Sequence, residues 1–155
     1  VCVGEMRDTE CYAAVEASLT GHTVVSTVHS GAADAAHMRI ALLCQKRFPI
    51  DFDTSLVQAA QAFPLIVYCH QLEDNSRKIM DISECVLSSK GERSYRSLYN
   101  FNIIQNTLDH GKYVIKGSFH KVNVISDSLK QRLVKHGAPQ DVLNRFLQEG
   151  VDVPI

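Results

Sequence analysis

The chain opens on a short apolar run, Val1-Cys2-Val3, closed by Gly4, which predicts a buried strand over residues 1–4. After a polar turn, Tyr12, Val15 and Leu19 fall on one helical face. They predict a helix capped by Asp8 or Thr9 and stopped by Gly21. Residues 23–28 are β-branched and almost free of charge up to His29, which suits a parallel-sheet strand covered on both faces. Helical spacing returns over residues 32–47, with Met38, Leu42 and Cys44 expected inward and Pro49 barring continuation. A shorter helix is expected over residues 54–62.

Beyond residue 62 the period changes. Residues 65–72, 77–87, 95–104 and 113–119 are strand-like, separated by turn-forming stretches at 73–76, 88–92 and 109–112, and predict an antiparallel meander. Tyr99, Phe101 and Ile103 alternate with Asn100 and Asn102, as in a sheet with one wet face. Two helices are expected to close the chain. One covers residues 128–136 and stops at Gly137; the other opens at Pro139 with Val142, Leu143, Phe146 and Leu147 as its apolar stripe.

Composition narrows the function classes. With 155 residues and 45% hydrophobic content, the chain can bury one real core. A net charge of −1 leaves no global attraction for nucleic acid or an anionic membrane. The local basic stretch Lys112, Lys116, Lys121, Lys130, Arg132 and Lys135 has no stacking aromatics or reading helix beside it, so no nucleic-acid partner is expected. Cys2, Cys11, Cys44, Cys69 and Cys85 lack close pairing and read as buried thiols of a reducing cytoplasm. No apolar run approaches the roughly 20 residues of a membrane span. Val1-Cys2-Val3 reads as the middle of a strand, without an initiator Met, so the N-terminal part of a longer chain is expected to be missing. Uncovered strand edges would then favour self-association.

Glu5 is the first candidate for chemistry. It lies just past a buried strand, where ligands of open α/β sheets sit and where a carboxylate can orient or deprotonate water; an acidic strand end beside a helix N-terminus is the plainer alternative. His29 ends the second strand in the same way, and parallel pairing would bring it near Glu5 to meet a phosphate oxygen or a water. Arg7 could pair with Glu5 or a phosphate, or with Asp8 or Glu10. His22 suits a helix C-terminus, while Arg39 and Arg77 could face a neighbouring subunit or solvent.

Gly4-Glu5-Met6-Arg7-Asp8-Thr9-Glu10, then Thr20-Gly21-His22, then Ser26-Thr27-Val28-His29-Ser30, together resemble the acidic Walker B segment and histidine box of the type II and type IV secretion, pilus and conjugation ATPases. Residues 63–67, 72–79, 111–119 and 133–146 resemble the conjugation and tight-adherence (Flp) pilus branch, with Asn75 where that branch commonly has Gly. The phosphate-binding loop Gly-x-x-x-x-Gly-Lys-Ser/Thr does not occur in these residues; in the family it lies N-terminal to the acidic motif.

The resemblance implies an α/β fold. Residues 1–155 would form the C-terminal portion of a RecA-like P-loop NTPase domain, with residues 1–62 carrying the motifs and 63–155 the antiparallel strands and closing helices. It implies an ATPase using ATP and Mg²⁺, with Glu5 polarising the attacking water, His29 sensing the γ-phosphate and Arg7 beside them. A hexameric ring of such subunits would work at the inner face of the cytoplasmic membrane on secretion or pilus platform proteins. The alternative is a non-catalytic docking or oligomerisation module derived from such an ATPase.

Overall fold

The computed structural model describes residues 1–148, arranged in two compact units. The first comprises Val1–Ile66 with Leu87–Tyr95, and the second Val67–Val86 with the chain from Arg96 onward.

In the first unit, strands β1 (Cys2–Val3) and β2 (Val25–Ser26) pair in parallel, Cys2 opposite Val25 and Val3 opposite Ser26. Helices α1 (Glu10–Leu19), α2 (Ala35–Gln45) and α3 (Phe52–Ala62) pack on one another. Met6, Cys11, Ala14, Val15, Ile40, Leu43, Cys44, Ala59 and Ala62 build their common core, with Val3, Val24 and Val28 packed on it. The Asp51 carboxylate accepts from the Thr54 N–H at 3.0 Å and caps α3. Thr9, at the start of α1, makes no capping bond with its side chain.

Three expectations need correction here. Met38 and Leu42 do not point inward: both are exposed, and α2 buries Ala36, His37, Ile40, Ala41, Leu43 and Cys44 instead. That face is the one packed against α1 and α3, and packing overrides the competing Met38–Leu42 spacing. Nor is the second strand covered on both faces. Val24 and Val28 pack on the core while the intervening Val25 is 64% exposed, because the helical core lies under alternate residues only. The thiols divide likewise: Cys11, Cys44 and Cys85 are buried, Cys2 and Cys69 exposed, and none of the five is in a disulfide.

The meander forms where the strand-like runs and turns predict it, but the alternation holds only in part: Phe101 is buried, whereas Ile103, expected on the same covered face, is 46% exposed. Strands β3 (Leu65–Gln71), β4 (Arg77–Leu87), β5 (Arg93–Asp109) and β6 (Lys112–Lys121) follow one another across a four-stranded sheet. β5 and β6 are antiparallel, with Phe101 opposite Phe119. Their ladder runs further than the apolar pattern suggested, out to a two-residue turn at His110-Gly111 with φ of +46° and +77°. Positive φ at both central turn residues matches the twist of a hairpin. Asn75, at φ +62°, occupies the left-handed conformation that Gly would take without strain, and Asn is among the side chains that best tolerate it.

Helices α4 (Asp127–Lys135) and α5 (Gln140–Leu147) close the second unit, where Leu98, Ile125 and Leu129 form a core supported by Tyr99, Leu133, Phe146 and Leu147. The buried Glu84 carboxylate accepts from the Ser126 N–H at 2.9 Å and from its hydroxyl, at the positive end of α4. Lys121 donates to the carbonyls of Arg145 and Gln148 at the end of α5, and burial pulls its ammonium below the ordinary lysine range. Among the described residues no helix is long and apolar enough to cross a membrane.

Candidate functional site

Parallel pairing of β1 and β2 continues past the two-residue ladder. The Met6 N–H donates to the Thr27 carbonyl at 2.8 Å, and the Thr27 hydroxyl to the Gly4 carbonyl at 2.7 Å. Both chains therefore leave the sheet side by side at their carboxyl ends, and the residues just past those ends meet. His29 Nε2 lies 3.1 Å from Glu5 Oε1, and Arg7 Nη2 lies 2.5 Å from Glu5 Oε2.

The two contacts differ in kind. Arg7 donates a charge-assisted hydrogen bond to Glu5. The His29 ring is close, but Glu5 Oε1 is itself shielded and receives no well-formed hydrogen bond. Glu5 is thus a half-buried carboxylate with one oxygen held by Arg7 and the other shielded beside His29 without a hydrogen-bond partner, between side chains that are largely exposed. The Arg7 hydrogen bond is the main force holding the Glu5 carboxyl below its ordinary range; burial and the Glu10 charge act in the opposite direction. Glu5 is accordingly an ionised acceptor at neutral pH, suited to orienting a water and weak as a proton acceptor.

Of the other candidates, His22 sits at the end of α1 with Nδ1 3.2 Å from the Ala17 carbonyl, in the structural place expected of it. Arg39 and Arg77 are exposed. The partners that the sequence offered Arg7 resolve in favour of Glu5. Asp8 turns instead to Lys46, at 3.6 Å, and Glu10 accepts from backbone N–H groups. That use of Glu10 went unread in the sequence, where an acidic residue at a helix start is a common and weak signal.

His37 was also unread. It is fully buried in α2, with Nε2 2.8 Å from the Phe63 carbonyl and Nδ1 2.9 Å from the Tyr95 hydroxyl. Nε2–H donates to the carbonyl, and because burial disfavours the charged ring Nδ1 is left to accept from the tyrosine hydroxyl. Burial is the main cause pulling its pKa below the usual value, helped by the Arg93 charge and opposed by the Phe63 bond.

The donor set at Glu5 does not by itself fit a Mg²⁺ centre. It offers one carboxylate already bound to an arginine, and no group of three His, Cys, Asp or Glu side chains that could hold a metal exists among the described residues.

A family model described as type II/IV secretion system protein matches residues 1–147. A stretch of 41 residues is 56% identical to a protein of Escherichia coli (strain K12) provisionally named type II secretion system protein E. That stretch is 26% of this chain and only 8% of the relative's length.

Proposed function

Because the chain belongs to the type II/IV secretion system protein family, matched over residues 1–147, we propose that it carries the water-orienting part of the ATP-hydrolysis site of a secretion, conjugation or Flp-type pilus motor. The observation that carries this reading is the Glu5–His29 approach of 3.1 Å beyond the carboxyl ends of two parallel strands, with Glu5 Oε1 left without a hydrogen-bond partner. Such strand ends are where open α/β sheets bind ligands, and an ionised carboxylate there can accept a hydrogen bond from a water and aim it.

In this reading Arg7 keeps Glu5 ionised and fixes one of its oxygens, so that the other is presented in one direction. His29, largely exposed and movable, reports on the charge beside Glu5. Nucleotide phosphates would be held by a phosphate loop belonging to a RecA-like domain of which residues 1–155 form part. Mg²⁺ would supply charge stabilisation from ligands other than those described. A hexameric ring at the cytoplasmic face of the inner membrane, acting on platform proteins, completes the proposal.

The test is made in the full-length protein. Glu5→Gln is expected to leave nucleotide affinity largely intact and to lower kcat by about 10²-fold or more. His29→Ala should act on turnover more than on binding. Equal losses of affinity and turnover in both variants would point to a folding role and sink the reading.

A docking or oligomerisation module is the second reading. It is favoured by the exposed apolar side chains of Ile104, Leu108 and Tyr113 on the β5–β6 hairpin. Absence of ATP turnover from the unaltered full-length protein would decide for it.

A further inference from the structure

The turn that carries Arg7 is fastened from behind by a carboxylate that touches neither Glu5 nor His29. One oxygen of Glu10, the first residue of α1, accepts both the Arg7 N–H at 2.5 Å and the Asp8 N–H at 2.9 Å. The Arg7 guanidinium, held by that backbone, reaches Glu5 Oε2 at 2.5 Å. Thr9 contributes no capping bond, and the Lys46–Asp8 pair is long and exposed at 3.6 Å, a kind of contact that adds little. Glu10 is therefore the principal side-chain fastening of the turn.

Resting on the function proposed above, we infer that Glu10 is a positioning residue, whose carboxylate sets the place of Arg7 and through it the orientation of the Glu5 carboxylate. The chain of contacts is short: Glu10 Oε1 to the Arg7 backbone, the Arg7 side chain to Glu5 Oε2, and Glu5 Oε1 to His29. A carboxylate can serve both amides at once because each of its oxygens carries two lone pairs and a share of the negative charge, and two backbone N–H groups converging on one oxygen fix the peptide planes that bear them. The same carboxylate also meets its own backbone N–H at the start of α1, as a glutamate reaching back over a helix N-terminus does, so the effect on Glu5 is what distinguishes a positioning residue from a helix cap.

The experiment compares Glu10→Ala, Glu10→Asp and Glu10→Gln by amide hydrogen exchange at Arg7 and Asp8 and by carbon-13 titration of the Glu5 carboxyl. Glu10→Ala, which has no acceptor, and Glu10→Asp, one methylene too short to span both amides, should each speed exchange at the two amides roughly tenfold or more. Glu10→Gln keeps the acceptor and should keep the protection.

The titration separates position from charge by its sign. The Glu10 charge raises the Glu5 pKa, whereas Arg7 lowers it. Loss of the charge alone would shift the Glu5 pKa downward in both Glu10→Ala and Glu10→Gln. Loss of the Arg7 position shifts it upward, in Glu10→Ala and Glu10→Asp only. Upward shifts confined to those two variants are expected. Unchanged amide exchange in them, or a downward shift in Glu10→Ala, overturns the inference.

In the full-length protein Glu10→Ala should lower kcat by roughly tenfold to a hundredfold at unchanged KM for ATP, and Glu10→Gln should restore it. Absence of ATP turnover in the unaltered full-length chain would refute the function, while exchange and titration would still decide the role of Glu10.

Discussion

His37 makes the stability of the first unit depend on pH in a direction fixed by its burial. The ring has no exposure, donates to Phe63 and accepts from Tyr95, and is held neutral; its pKa in the folded chain lies below the ordinary 6.5. Above that value both folded and unfolded states carry a neutral imidazole and the group is silent. As pH falls through 6.5, the unfolded chain binds a proton that the folded chain refuses, so folding loses free energy until the depressed folded pKa is reached. For a group fully protonated only when unfolded, the loss between about pH 7.5 and about pH 5.5 is at most about 1.4 kcal/mol. Glu and Asp do not enter the comparison if the reference is His37→Gln, which keeps polar atoms at the site and does not titrate. Urea unfolding followed by circular dichroism at the two pH values should show the wild-type chain losing up to that amount more than His37→Gln. A wild-type loss no greater than the variant's would refute the argument. His37→Leu adds a check at the higher pH: the Phe63 carbonyl loses its imidazole donor, which should cost about 1–3 kcal/mol.

Gly117 on β6 stands where an added Cβ would lie 2.4 Å from the Asn102 carbonyl and 2.5 Å from the Phe101 ring, so Gly117→Ala should destabilise by about 1–3 kcal/mol in the same unfolding assay; an unchanged midpoint would contradict the packing described for that hairpin. Ser18 is buried and its hydroxyl donates to the Ala62 carbonyl at the end of α3 at 2.7 Å. Ser18→Ala should lower stability by about 1 kcal/mol, and a neutral or stabilising effect would show that the bond carries no net energy. The 155-residue polypeptide by itself should release no phosphate from ATP at a motor's rate, since in the proposed site Glu5 would aim water only where other residues hold the nucleotide. Turnover abolished by Glu5→Gln in this polypeptide alone would refute that division of labour.

Local chemistry was sufficient for much of the architecture. The span of β4, residues 77–87, could be read from its bounding turns, and α5 from Pro139 and its apolar stripe, because turn conformations and side-chain periods act within a few residues. The family was legible for a related reason: Gly4-Glu5-Met6-Arg7-Asp8, Thr20-Gly21-His22 and the segment ending at His29 are contiguous strings. The parallel approach of Glu5 and His29 also followed from two strand ends of the same kind, and the pairing Cys2–Val25 brings it about. Only the tertiary structure decided between competing uses of one side chain. Met38 and Leu42 spaced as well as Ile40 and Cys44 for a buried stripe, and the close packing of α2 on its neighbours chose the latter. Arg7 had three carboxylates within sequence reach; the turn directs it to Glu5 because Glu10 is taken by the backbone and Asp8 faces Lys46. His37 carried no sequence signal, since its partners Phe63 and Tyr95 lie 26 and 58 residues away and meet it only when the chain folds. Periodicity reports which residues share an element's face, whereas which partner a polar group finds depends on distances between elements that no local pattern contains.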